Sequence, residues 1–490
     1  MVSDKAHVGL AFTLYLGITF LLAYFARRRA GKGRFLEDFF VARREMGPWV
    51  LALTWIATSA SGGTFIGAPS LAHRYGWVLL LWISSLMVVA TVGFGVVGKR
   101  VAKLGRQTGA LTFSDLLRDR FESNMIGIVA GIAIVILYTA FMVAQYIAGA
   151  RLVEAVMGVP YVWGALGFAV TVALYTAYGG FRAVAWTDSF QALVMLAGIL
   201  VTAFFALRQA GGLPVVYDNL VALSPDLVRG PGPDQFLPLP AAISFFCIWP
   251  LENISQPSLI TRFLASKDTR TLKRAAFLIG LYILLLYPAI MTLGVVSRVL
   301  VPELDAPDHA IPAVILEAVP PLLAGLTLAA PLAAIMSTIS SFLLVSSSAI
   351  VRDLYQRNLR RELSEKGARR LTHVSTFALA AVALVFALHP PEFLQYIVVF
   401  SSTGLAATFL LPTLLGIYWP GMNKRGCLAG MLVGFLSFLA QYAVFGTESF
   451  GGFDPFIWAV LASFVASVGA AWKASPPSES VRKLYFGSGA

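Results

Sequence analysis

Between Ala330 and Ile350 the sequence reads APLAAIMSTISSFLLVSSSAI, an apolar stretch carrying seven hydroxyls: Ser337, Thr338, Ser340, Ser341, Ser346, Ser347 and Ser348. Ser337, Ser340 and Ser341 are spaced i, i+3, i+4 and share one helical face, with Thr338 at its edge. Hydroxyl and carbonyl oxygens are hard ligands, suited to a small hard cation such as sodium. Close helix packing, or a hydroxyl bonded back to a carbonyl one turn earlier, is the competing explanation. Packing suits Ser346, Ser347 and Ser348 better than ligation does.

Two other stretches interrupt apolar runs with glycine, proline and polar residues. LTWIATSASGGTFIGAPS holds Gly62, Gly63, Gly67 and Pro69 beside Thr58, Ser59, Ser61 and Thr64. CIWPLENISQPSLI holds Glu252, Asn253, Ser255 and Gln256 between Pro250 and Pro257. An unwound segment exposes backbone groups that lipid cannot satisfy, so they must face protein, water or a ligand. Free carbonyls suit a cation and a half-helix N-terminus suits a carboxylate. A kink satisfied by neighbouring helices is the alternative. Asp188, in GGFRAVAWTDSFQALVM, is an acid just inside an apolar run and a functional-site candidate for that reason. Its structural alternative is a cap or an ion pair with Arg182. Glu252 has a similar alternative, an ion pair with Arg262.

The elements that position these residues are membrane spans. Of the 490 residues, 58% are hydrophobic and 13% charged, about half the charged fraction of a soluble domain. Apolar runs repeatedly reach the roughly 20 residues that cross a bilayer, and they are too long for β-barrel strands. Spans are expected at 7–25, 48–73, 76–98, 124–150, 160–178, 186–207, 238–257, 276–297, 320–351, 372–388, 393–418, 426–445 and 454–473. The first is too long for a cleaved signal peptide. The net charge of +12 is a topology signal and not a nucleic-acid footprint. Of 37 Lys and Arg, only Lys5, Arg74, Arg151, Arg208, Arg229 and Arg298 fall on one side. The positive-inside rule then puts the N-terminus outside and the C-terminus inside. The loop at 298–319 is proline-rich and is expected to hold a short lid helix. Only residues 474–490 follow the last span, so no soluble domain is expected there. Cys247, Cys427 and five scattered histidines form no disulfide or metal pattern, and no nucleophile triad or phosphate loop is present; the GKGR at Lys32 is a basic loop. An enzyme is not expected.

The two interrupted spans lie five apart, as in transporters built from inverted repeats. The expected organisation is an extra N-terminal span with its basic loop (1–46), a first repeat (47–210), an external loop (211–237), a second repeat (238–420), and two C-terminal spans with a short tail (421–490).

YTAYGGFRAVAWTDSFQALVM (Tyr175–Met195) resembles the signature of the sodium:solute symporter family, and LAAPLAAIMSTISSFLLVSSSAIVRDLY (Leu328–Tyr355) resembles that family's sodium-binding helix. SGGTFIGAP and YIAGARLVEAVMGVPY fit as well, and the likeness runs over nearly the whole chain. GARL, GVPY, LYTAYGGFRA, LAAPLAAIMST and DLY recur in the same order in sodium/pantothenate symporters, the branch of the family that the chain most resembles. The resemblance implies an all-α, polytopic LeuT-type fold of five-plus-five inverted repeats and sodium-coupled alternating access in the cell's inner membrane. Sodium ions, a small-molecule solute and membrane lipid are the expected partners, with no nucleic acid and no obligate protein.

Carried over from the family, the common sodium site falls on the carbonyls of Ala57, Ala60 and Ala334 and the hydroxyls of Ser337 and Thr338. A second sodium site, as in sialic acid transporters, falls on Asp188, Ser337, Ser340 and Ser341. Proline-type members place an acid where this chain has Ser59. The solute is expected at the midplane between the broken helices, as a small organic carboxylate of the pantothenate type. Other sodium-coupled solutes (a monocarboxylate, an amino acid, sialic acid, a sugar) and a transporter-like sensor are the alternatives. Ser59, Ser61 and Thr64 are expected to hold the carboxylate. Gln145 would bond an amide or hydroxyl, Trp249 would form a wall, and Asn253 and Gln256 would add polar contacts. Ser401, Ser402 and Thr403 are expected to line the inner exit.

Overall fold

The computed structural model describes residues 2–28, 35–358, 363–390, 394–446 and 450–487. The parts of the basic loops that carry Arg29, Lys32, Arg34, Arg360 and Arg361 lie outside them. The described residues are almost entirely helical, with one isolated parallel bridge between Met46 and Ser266. Among the described residues, ten helices are long and apolar enough to cross a membrane. A bundle of this kind satisfies its backbone internally, as lipid requires.

The helix Pro321–Ser348, extended by a wide π-helical segment Ala349–Asn358, is the centre of the bundle. Its most apolar window is 100% buried, against 24% for the first span and 22% for Lys424–Phe445. The large side chains of the outer helices, such as Phe20, Phe204, Phe277, Phe386 and Val465, point outward. Lipid does not drive helices together as water does, so small residues that permit close approach do much of the packing. The Ala- and Ser-rich central helix has that composition.

Both interrupted spans are broken helices. The first runs Pro48–Ser59, opens at Ala60 and Ser61, and resumes through a π-helical Gly63–Gly67 into Ala68–Tyr75. Ala60 is extended, with ψ 104°. The break therefore falls just before the glycines and not on them. The second runs Leu239–Ser255 and resumes as Pro257–Ala265. Pro250 is absorbed inside the first half, and the break is the single residue Gln256, with ψ 113°. The proline ring at 257 disfavours helical backbone in the residue before it.

The connections differ from expectation at several points. The stretches 160–178 and 186–207 are two helices, Tyr161–Ala177 and Gly180–Gln209, that meet at Gly180 without the expected loop; the φ of 65° there breaks the helical path. Arg182 follows the bend and pairs with Asp38 and Glu45. The loop between 98 and 124 contains Lys99–Thr108 and Phe113–Phe121. The loops at 211–237 and 298–319 hold Leu213–Leu223 and Ala310–Ala318, the second where a short helix is expected. Helix Thr269–Leu300 starts at Asp268, whose carboxylate accepts from Thr271 N–H at 2.7 Å. That hydrogen bond holds the Asp268 carboxyl below the usual range.

Candidate functional site

The central helix and the first broken helix meet at the predicted sodium ligands. Ser337 Oγ lies 2.7 Å from Ala57 O, 2.9 Å from Ala333 O and 3.0 Å from Ala334 O. Thr338 Oγ1 lies 2.9 Å from Ala334 O and 3.4 Å from Thr58 O. Oxygens of Ala57, Ala334, Ser337 and Thr338 thus converge from two helices at a fully buried point. Ala60 sits three residues beyond Ala57 at the break, its N–H bonded to Ile56 O at 2.8 Å. Ser347 and Ser348 bond back to Leu344 O and Val345 O, the packing role expected of them.

Of the second predicted group, Asp188 and Ser341 meet, around an arginine. Arg262 Nη2 donates to Asp188 Oδ2 at 3.1 Å and to Ser341 Oγ at 2.7 Å. Its Nε donates to Thr54 O at 3.1 Å and its Nη1 to Ser258 O at 2.9 Å. Thr54 Oγ1 donates to Asp188 Oδ2 at 2.7 Å, and Ser341 Oγ is 2.8 Å from Thr58 Oγ1. Ser340 donates back to Ser337 O at 3.0 Å. The ion-pair partner of Asp188 is therefore Arg262 and not Arg182, and Arg262 does not pair with Glu252. Asp188 and Arg262 are 0% and 1% exposed, so each requires the other's charge. Asp188 Oδ1 has no hydrogen-bond partner.

A pocket lies between the two breaks. Ser59, Ser61, Thr64, Trp249, Asn253 and Gln256 all line it, as predicted. Its open volume is about 30 Å³, room for about one water molecule. Ser61 caps the resumed helix: its Oγ accepts from Gly63 N–H at 3.1 Å, and Thr64 Oγ1 accepts from Ser61 N–H at 3.3 Å. Ser59 bonds back to Ile56 O at 3.1 Å. Trp249 stacks on Trp82 with ring centres 4.9 Å apart.

Gln145 is not among the residues that line this pocket; its Oε1 accepts from Gly62 N–H at 2.7 Å, and its Nε2 has no partner. The missing Cβ of Gly62 permits this approach, since a Cβ would stand 3.0 Å from Gln145 Oε1 and 2.7 Å from Ala148 Cβ. Ser401 and Thr403 bond back to their own helix, while Ser402 faces the pocket. Sequence reasoning missed Gln395, Trp55, Trp82 and Tyr287 as lining residues and left Glu252 without a role in the pocket. Gln395 lay within an expected span, and an amide there was the signal available.

A helical membrane protein with paired broken helices around a buried pocket is built as a transporter. The chain belongs to the sodium:solute symporter family, whose model matches residues 39–434. It is 36% identical over 468 residues to the sodium/pantothenate symporter of Escherichia coli (strain K12), covering 94% of this chain and 95% of that protein. It is similar to the sodium/pantothenate symporter of Haemophilus influenzae, also at 36%, over 88% of this chain and 89% of that one. A sodium/proline symporter of Staphylococcus aureus is 28% identical, covering 93% of this chain and 91% of that one. Among solved structures, a sodium-coupled sialic acid symporter in a substrate-bound outward-open state superposes with a TM-score of 0.81 at 17% identity. That match covers 96% of this chain and 99% of the other, and it establishes the fold as that of LeuT-type symporters. The protein is a multi-pass membrane symporter coupled to sodium, and it carries a small molecule.

Proposed function

We propose that the chain imports a small organic carboxylate of the pantothenate type with sodium, by alternating access. The observation that carries this reading is the pocket between the breaks, with Ser59, Ser61 and Thr64 on one wall and Trp249, Asn253 and Gln256 on the other. The relatives named for pantothenate support the substrate class. So does the half-buried serine at 59, the position of an acid in proline-type members. In this reading the solute carboxylate takes hydrogen bonds from the hydroxyls of Ser59, Ser61 and Thr64.

Sodium binds the carbonyls of Ala57, Ala60 and Ala334 and the hydroxyls of Ser337 and Thr338. The convergence of Ser337 Oγ on Ala57 O and Ala334 O supports that assignment. An ion bridging the first broken helix and the central helix couples the two sites by favouring the solute-competent arrangement. The inverted repeats are 47–210 and 238–420, with 1–46 and 421–490 outside them and the external loop 211–237 between them. Thirteen crossings put the N-terminus outside and the C-terminus inside, in a bacterial inner membrane.

A second sodium at Asp188, Ser337, Ser340 and Ser341 is the alternative ion arrangement. The unpartnered Asp188 Oδ1 favours it. It requires Arg262 to leave, because the guanidinium already supplies Asp188 with one positive charge.

Uptake of labelled pantothenate into proteoliposomes tests the function. A sodium gradient is expected to drive saturable accumulation, and an equal potassium gradient is expected to give none. Competition by short monocarboxylates, proline, sialic acid and a neutral sugar ranks the alternatives. Uptake confined to the sugar sinks the carboxylate assignment.

A further inference from the structure

Glu252 is the one acid lining the pocket. It is 3% exposed, and among the described residues no Lys, Arg or His pairs with it. Asn253 Nδ2 donates to Glu252 Oε2 at 3.1 Å. A carboxylate at this depth without a cation is costly, and such residues are retained for function.

Around it the pocket holds further unfinished hydrogen bonds. Asn253 Oδ1, both amide atoms of Gln395, Trp55 Nε1, Trp249 Nε1 and Ser402 Oγ have no partner. Gln395 is 1% exposed and is pressed onto the π-helical turn of the first broken helix. A Cβ on Gly63 would stand 2.9 Å from its Oε1, and one on Gly67 2.5 Å. The two glycines therefore seat an amide that bonds to nothing in the protein. Native interiors satisfy buried polar groups, and several unsatisfied ones facing a single pocket mark where a ligand supplies the missing half.

We propose that Glu252, with Asn253, forms a subsite that reads a hydroxyl or amide on the solute at the end remote from its carboxylate. The proposal rests on the carboxylate reading and deepens it. Hydrogen bonding places the two ends: the hydroxyls of Ser59, Ser61 and Thr64 donate to the solute carboxylate, and Glu252 and Asn253 face its neutral end with acceptors. The mixture of unpartnered atoms selects the chemistry. Hydroxyls and amides both donate and accept, which matches acceptors at Glu252 and Asn253 beside the unpartnered donor Trp249 Nε1 on the same helix. An ammonium only donates and would leave that donor unpaired. Glu252 is thus a specificity-determining residue, and it discriminates against solutes that lack the donor, because the analogue leaves a buried carboxylate unpaired.

The test compares pantothenate with its analogue in which both hydroxyls are replaced by hydrogen. Both are measured as sodium-driven uptake in proteoliposomes and as quenching of tryptophan fluorescence in detergent, where the Trp82–Trp249 stack is the reporter. The wild type is expected to prefer pantothenate by about ten- to hundredfold in half-saturation, the worth of a hydrogen bond to a charged group. Glu252→Gln and Glu252→Leu are expected to lose most of that preference by weakening pantothenate, while the sodium half-saturation stays unchanged and serves as the folding control. Asn253→Leu is expected to lose part of it. A wild type that does not distinguish the pair, or Glu252 variants that keep the distinction, overturns the subsite and leaves the carboxylate reading intact. Failure of the wild type to carry any carboxylate overturns both.

Discussion

At Ser337 one hydroxyl serves as the meeting point of two helices, and removing it tests the sodium assignment at the smallest scale. Ser337→Ala is expected to raise the sodium half-saturation for uptake by at least about tenfold, since even groups that only support a metal ligand are worth about that much in affinity. The maximal rate at saturating sodium is expected to change less. Asp188 makes a different demand. Asp188→Ala leaves Arg262 buried without its counter-charge, and a loss of about 3–5 kcal/mol in stability is expected, read as a lowered unfolding midpoint in detergent. Asp188→Asn, which keeps an acceptor for Thr54 and Arg262, is expected to lose less. The hydroxyl face of Ser337, Ser340 and Ser341 was legible in the sequence because i, i+3, i+4 spacing is local. The partner of Asp188 was not. Arg262 lies 74 residues away, and no local pattern separates it from Arg182, which comes nearer in sequence but turns to Asp38 and Glu45. At Gln145 a mid-span amide signals a polar partner, and its Oε1 finds one in the Gly62 backbone.

At the scale of elements, glycine and proline announced both breaks, yet displaced each from its true position by a few residues. Steric rules explain the shift. A proline distorts the residue before it, so Gln256 opens and Pro250 does not, while Gly62, Gly63 and Gly67 serve close approach more than unwinding. The junction at Gly180 was read as a loop because Arg182 and Gly179 carry loop composition, whereas one positive φ suffices to join two helices directly. The C-terminal pair of helices gives this scale its own test. Asn423 Oδ1 caps Lys424–Phe445 through Gly426 N–H at 3.1 Å, and its Nδ2 donates to Ala471 O at 2.9 Å. Asn423→Ala is expected to cost about 1–2 kcal/mol, visible as early loss of that helix pair in hydrogen exchange. Gly434 packs against the backbone of Leu394–Tyr418, where a Cβ would fall 2.0 Å from Ala407 O. Gly434→Ala must therefore push two helices apart, and reduced expression of folded protein is the expected outcome.

For the whole molecule, charge balance decides what the membrane potential does. One sodium carried with a monocarboxylate moves no net charge, so with Arg262 holding Asp188 the expected cycle is electroneutral. An inside-negative potassium diffusion potential imposed on proteoliposomes is then expected to leave initial uptake unchanged. Acceleration by the potential reveals a second ion, because each extra charge gains about 2.3 kcal/mol per 100 mV. The pocket's volume of about 30 Å³ has a further consequence for any affinity measured on this protein. Solute cannot enter while the walls are closed, so the apparent dissociation constant is the intrinsic one divided by the fraction of molecules that are open. A substitution far from the pocket that merely loosens the closure will look like a better binder, and one that tightens it will look like a worse binder, with every contact to the solute unchanged.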